Sequence, residues 1–150
     1  MDTRTRIIEL LRSTNRKGIE SVIELLESSN YFTVGCHSHH HYTGGMADHA
    51  LQTLALAKRR GWKVPEDSLI ITTLLHDLCD ISSFREIKGH GWRSAELLRK
   101  QCGLVMTKDE WNAIRYHMRR REDRPVRTSL ELLVYTADKK SAEKGHGHAA

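Results

Sequence analysis

His49, the adjacent pair His76-Asp77, His90, His117 and Asp138 follow one another down a chain of 150 residues, each at a position where a helix can be read. Imidazole nitrogens and carboxylate oxygens are the donors that hold borderline and hard divalent ions. The pair alone says little: with ten His and eight Asp among 150 residues, about half an HD dipeptide is expected by chance. The ordered set carries the weight, and it points to a metal-centred hydrolase. One helix cannot close such a site, because successive side chains diverge by about 100° and only positions i, i+3 and i+4 share a face. Single ligands on several packed helices escape that limit. His49, His76, Asp77 and Asp138 supply two imidazoles and two carboxylates, suited to one divalent Mn, Fe, Ni, Co or Zn ion, with Mg a further candidate. His90 and His117 would hold a second ion, with Asp77 bridging the two.

The elements that must position these ligands read as helices almost throughout. Pro occurs only at 65 and 125, and no β-branched alternation is sustained. Ile7, Ile8, Leu10 and Leu11 begin a short amphipathic helix, and Ile19, Val22, Ile23, Leu25 and Leu26 form the stripe of a second. After a polar loop from Ser28 to Gly45, a helix over about 46–60 carries His49 and ends at Gly61. Pro65 stands where a first helical position belongs, so the next helix spans about 65–78 and holds the His-Asp pair near its end. A connection over 79–89 leads to a helix over 91–101. Thr107 with Glu110, and Thr128 with Glu131, match the capping-box spacing and open helices over 108–118 and 129–142. The fold class is therefore all-α, a compact bundle of about six or seven helices in one domain. Residues 1–30 form N-terminal helices, 37–141 the metal-binding core, and 143–150 a disordered tail.

Composition narrows the setting. The chain is 39% hydrophobic, enough for one core, and its first residues lack an apolar stretch of signal-peptide length. A cytoplasmic protein without membrane association is expected. Cys36, Cys79 and Cys102 are an odd and widely spaced set, so neither a disulfide framework nor a thiolate zinc site is indicated. The net charge of +5 favours anionic ligands, and most of it comes from Arg115 to Arg127, where six Arg face Glu122 and Asp123.

Five segments carry a family resemblance. His41-Tyr42-Thr43-Gly44-Gly45-Met46-Ala47-Asp48-His49 looks like the form H-x-x-x-G-G-[LM]-x-x-H, with two residues instead of three between His41 and Gly44, and Leu74-Leu75-His76-Asp77-Leu78 has the form L-L-H-D-[LI]. Gly89 to Ala95 resembles G-H-G-x-[RK]-S, Ile114-Arg115-Tyr116-His117 resembles A-I-R-x-H, and Thr136-Ala137-Asp138-Lys139 closes the series. Together they resemble the HD superfamily of metal-dependent phosphohydrolases, whose H…HD…D pattern gains two further His in two-metal members. The resemblance implies the helical HD bundle, with His49, His76, Asp77 and Asp138 as core ligands. It also implies water activated by one or two metals and a phosphate-containing small molecule, a nucleotide or another ester, as substrate. One departure stands out. Many hydrolytic members continue the pair as H-D-[LI]-G-K, whereas this chain reads His76-Asp77-Leu78-Cys79-Asp80. The cation that meets phosphate must then come from Lys88, Arg93, Arg115 or Lys139. Arg93, one turn after His90, is the first candidate to act in catalysis with Asp77 and the metals, and Lys139 the second.

Plainer readings stand beside these. His37, His39, His40 and His41 alternate through a loop and read as solvated, with His41 the member expected nearest the pocket. Gly44-Gly45 reads as a loop-to-helix junction that would also let the backbone come close to the site. Trp62, Trp92 and Trp111 read as packing residues, with Trp111, Ile114 and Met118 on one helix face. Arg119, Arg120, Arg121, Arg124 and Arg127 read as a solvated loop, with a gate for polyanions as the functional alternative. Two other functions share the ligand set: a di-iron oxygenase of the same fold, and a non-catalytic regulatory or nucleic-acid-binding module with a structural metal.

Overall fold

A computed structural model describes residues 1–36, 39–60, 62–78, 90–118 and 124–145, and of His90 it describes the backbone alone. The described elements are α1 (Thr3–Ser13), α2 (Ile19–Ser28), α3 (Gly45–Arg59), α4 (Glu66–Leu75), α5 (His90–Glu96), α6 (Lys108–Arg115) and α7 (Ser129–Gly145). A π-helical turn over Leu97–Gln101 extends α5. All the described elements are helical, as the sequence pattern requires of an HD-type bundle. None of the described helices is long and apolar enough to cross a membrane.

The bundle is built around α3, which packs on α7, α4 and α1. Small residues at Ala47, Ala50 and Ala57 lie buried on α3 and let its neighbours approach. Every residue of α4 from Ser68 to Leu75 is buried, the behaviour of a helix that is apolar all round. That is why the His-Asp pair, at its end, emerges inside the molecule rather than on the surface.

A buried ion pair fixes where α4 and α6 begin. The Glu110 carboxylate, in the first turn of α6, is fully buried and paired with Arg16. Arg16 Nη2 donates to Oε2 at 2.9 Å, and Arg16 Nη1 also donates to Val105 O at 3.0 Å. Ser68 Oγ, from the first turn of α4, donates to Oε2 at 2.6 Å, and Thr107 N donates to Oε1 at 2.9 Å. The last bond is half of the capping box, closed by Glu110 N donating to Thr107 Oγ1. At the opposite ends of the two helices, the rings of His76 and His117 lie 4.9 Å apart. Helices α4 and α6 thus run side by side from one polar anchor to the ligand cluster, α4 spanning about 15 Å at 1.5 Å per residue.

Several boundaries differ from the pattern, each for a local reason. Pro65 precedes α4 instead of opening it. Its ψ of 134° keeps the chain extended there, and its carbonyl accepts the first helical bond from Leu69 N. Helix α4 ends at Leu75 and not at 78, because other groups take its last carbonyls. His76 Nδ1–H donates to Thr73 O at 2.7 Å, and the buried Tyr31 hydroxyl donates to Leu74 O at 2.7 Å. Helix α6 likewise stops at Arg115, where His117 Nδ1–H donates to Ile114 O at 2.7 Å. Met118 therefore leaves the face it was expected to share with Trp111 and Ile114, and is exposed. Trp62 and Trp92 are exposed as well, and Trp111 is half-buried, so tryptophan packing is confined to position 111. Helix α7 continues to Gly145, into the stretch expected to be disordered from 143; residues 146–150 lie outside the described residues.

Candidate metal centre

Three elements converge on one carboxylate oxygen. His49 sits in the second turn of α3, His76 just past α4, and Asp138 midway along α7. His49 Nε2 lies 2.8 Å and His76 Nε2 3.2 Å from the same Oδ1 of Asp138. Asp77 stands alongside with its two oxygens divided: Oδ2 is 3.7 Å from His76 Nε2 and Oδ1 is 3.7 Å from His117 Nε2. A carboxylate facing two imidazoles with different oxygens is the arrangement a bridging ligand needs. His49, His76 and His117 are all buried.

The backbone sets the direction of two of these rings. His76 and His117 each follow a helix end and donate Nδ1–H to the carbonyl three residues back, which turns Nε2 into the cluster and fixes the tautomer that a metal accepts. Both helices also point their negative dipole ends at this spot, which favours a cation. His49 is held from the other side, its Nδ1 lying 2.9 Å from Ser141 Oγ. Asp138 and Ser141 are three residues apart on one face of α7, so that face grips both nitrogens of one imidazole.

Electrostatics follow from this crowding. Burial pulls the His76 imidazole down, but the Asp138 and Asp77 carboxylates and the Thr73 carbonyl outweigh it and hold its pKa at about 9. Burial pushes Asp138 up, yet the charge on His76 and the hydrogen bonds from His49 and His76 keep its carboxyl far below the usual carboxylate range. A protonated His76 on an ionised Asp138 is the charge pattern of a site whose proton stands where a divalent ion would sit. Donor chemistry agrees. Side chains of His49, His76 and Asp77, and of His76, His117 and Asp138, each offer three ligand atoms within 4.8 Å of one another. This mixed nitrogen and oxygen set fits a divalent transition ion.

The remaining sequence-derived candidates fall in different places. His90 opens α5, with its side chain outside the described residues, as are Cys79, Asp80, Lys88, His37 and Arg119 to Arg121. Arg93 is half-buried on α5, one turn after His90. Lys139 is exposed and donates to Tyr135 Oη at 3.2 Å on the outer side of α7. Arg124 is tied down by Glu131, with Nη1 to Oε1 at 2.9 Å, and stacks 4.4 Å over the Tyr116 ring, so it is not part of an open polyanion gate.

The histidine-rich loop also departs from expectation. His41 is exposed, with Nδ1 hydrogen-bonded to Cys36 O at 3.0 Å. His39 and not His41 reaches the centre, its ring 4.5 Å from that of His49. Burial and the neighbouring His49 and His40 pull the His39 imidazole down to about 4, so it is neutral at pH 7. His40 is buried. Ser141, Gln52 and Tyr31 were not singled out from the sequence, although Ser141 and Gln52 lie at i+3 from Asp138 and His49 and that spacing was the available signal.

Fold and site together define a class of all-helical bundle that gathers His and Asp side chains from separate helices into one cluster able to hold a metal ion. The HD domain family model matches residues 46–143, and the chain belongs to that family, a superfamily of metal-dependent hydrolases. Searches of curated proteins and of solved structures found no match.

Proposed function

We propose that the protein is a metal-dependent phosphohydrolase acting on a nucleotide or another phosphate ester. The observation that carries this reading is the convergence of His49 and His76 on one oxygen of Asp138, with Asp77 facing both His76 and His117. His49, His76, Asp77 and Asp138 hold one ion, and His117 with His90 a second. A bound divalent ion supplies Lewis acidity, lowering the pKa of a ligand water from 15.7 toward about 7 and drawing charge from phosphoryl oxygens. The protein's own part is to hold the donors still. The backbone carbonyls of Thr73 and Ile114 lock two imidazoles, and Ser141 locks the third. Asp77, which faces His76 and His117 with different oxygens, would help hold the metal and keep the attacking water beside it. Arg93, half-buried one turn after His90, is the cation assigned to the charge that develops on the substrate, and the exposure of Lys139 and its bond to Tyr135 favour Arg93 of the two candidates. The excess of positive charge, +5 over the whole chain, helps draw an anionic substrate.

The test is phosphate release from a panel of phosphomonoesters, phosphodiesters and nucleotides by protein loaded in turn with Mn, Co, Ni, Fe and Zn. Release that requires a metal and disappears in His76→Ala is expected. Oxygen consumption by the iron form with no phosphate release from any ester would overturn the reading in favour of an oxygenase. Metal loading without either activity would leave a regulatory module.

A further inference from the structure

The histidine loop is not an incidental surface feature. We propose that His39 is a further ligand of the metal centre, its Nε2 lone pair presented by a relay of hydrogen bonds running from His49 through Ser141, Gln52 and His40. The inference rests on the metal-centre reading above.

Each step of the relay follows its shortest bond; at Ser141 the hydroxyl has Gln52 Oε1 at 2.7 Å and His49 O only at 3.5 Å. An ion on His49 Nε2 takes the place of the proton shared with Asp138, so His49 carries its hydrogen on Nδ1 and donates to Ser141 Oγ, 2.9 Å away. The Ser141 hydroxyl then directs its own hydrogen to Gln52 Oε1 at 2.7 Å. His40 Nε2 lies 3.0 Å from the same Oε1. An amide oxygen only accepts, so His40 must be protonated on Nε2, and as a neutral imidazole it accepts on Nδ1. The atom 2.8 Å from that Nδ1 is Nδ1 of His39. His39 is therefore the donor there, and its lone pair is on Nε2, the tautomer of a metal ligand.

The relay is held rigidly. His40 is buried in a left-handed backbone conformation, φ 43°, uncommon for a residue with a side chain. Two glycines make room for it. A Cβ at Gly45 would fall 1.8 Å from His40 O, and one at Gly145 would fall 2.1 Å from His40 Nδ1. Any larger residue at either position would push the ring out of line. Gly45 begins α3 and Gly145 ends α7, so the loop histidine is clamped between the helices that carry His49 and Asp138.

Position completes the argument. One nitrogen each from His39, His40 and His49 lie within 4.8 Å of one another, against the roughly 3.3 Å between two nitrogens on one tetrahedral ion, or about 4 Å when they lie opposite each other, with bonds of about 2.0 Å. His40 spends its two nitrogens on His39 and Gln52, which makes His39 the member of the trio that serves the ion. A third neutral imidazole on an ion already held by His49 and His76 adds no charge. It shifts the donor set toward nitrogen, and so toward Co, Ni or Zn over Mg.

The test uses the full chain, stripped of metal with a chelator and titrated with Co against a chromophoric competitor, with imidazoles counted by X-ray absorption at the Co edge. In His39→Gln, Co affinity should fall at least about tenfold and the imidazole count by one. Gln52→Leu, which removes the acceptor that orders the relay, should weaken binding in the same direction by a smaller factor. Wild-type affinity and an unchanged count in His39→Gln would overturn the inference, and so would weaker binding with an unchanged count. If His76→Ala abolishes binding while His39→Gln does not weaken it, His39 alone is removed from the site. If the wild type binds no Co, or His76→Ala binds as the wild type does, the metal centre itself falls and the role of His39 with it.

Discussion

Arg16→Ala should cost the protein about 3 kcal/mol of folding stability at pH 7. Glu110 is fully buried, and Arg16 is its only charged partner among the bonds described above. Breaking a buried ion pair from one side costs about 3–5 kcal/mol, because the remaining charge stays out of water. The lower end applies here: Arg16 keeps partial contact with solvent, and Glu110 retains the Ser68 hydroxyl and Thr107 amide. For a chain of this size the melting temperature should fall by about 6–12 °C. The pH dependence provides a second constraint. Burial pushes the Glu110 carboxyl up, but hydrogen bonds from Arg16, Ser68 and Thr107 outweigh it and leave the pKa lowered. Its contribution is therefore fully present above the unfolded value of about 4.3 and is lost as pH falls through the folded value below that. Without Arg16, burial acts with less opposition and the carboxyl protonates more readily. The gap between wild type and variant should narrow as pH drops from 7 toward 4. Urea unfolding followed by circular dichroism, in excess chelator so that metal binding does not contribute, measures both. A loss below about 1 kcal/mol, or a gap independent of pH, would refute the reasoning.

Other consequences follow from the centre. With the His76 imidazole held at about 9, an incoming ion must displace a proton across the neutral range. Apparent Co affinity should thus climb with pH up to about 9 and then level off; competition titrations showing a flat profile from 6 to 9 would contradict the assignment of His76. Ser141→Ala removes the partner of His49 Nδ1 and should weaken metal binding about 10–100-fold while leaving the helical circular dichroism unchanged. Because the ligands come from three separate elements, metal should also stabilise the bundle. At free metal of about a hundred times Kd the gain is about 2.7 kcal/mol, or roughly 5–10 °C in melting temperature. An unchanged melting temperature after confirmed chelation would show that the ligands do not couple the helices.

The helices and the order of their ligands were legible because both are local properties. Apolar spacing and capping residues placed α3, α4, α6 and α7 to within a few residues, and the chain order of His49, His76-Asp77, His117 and Asp138 needed no tertiary information. The helix ends were less legible, because His76, His117 and Tyr31 close them with side-chain bonds that no propensity describes. The anchor at Glu110 was invisible for a stronger reason: Arg16 is 94 residues away, and a single sequence gives no sign of pairing over that distance. In the histidine loop His41 was the member expected nearest the pocket, yet with the left-handed turn at His40 it is His39 that lies against His49 while His41 is exposed. Strict alternation fails where one residue leaves extended geometry.

Metal content per chain, by elemental analysis of protein purified without a metal-affinity step and reconstituted with Mn or Co, tests the central claim most directly when wild type and Asp138→Ala are compared. At least one tightly held ion in the wild type, and a large loss in the variant that keeps its helical spectrum, is the expected result. No bound ion after reconstitution, or equal content in both proteins, would contradict the proposal that His49, His76 and Asp138 converge in order to hold a metal.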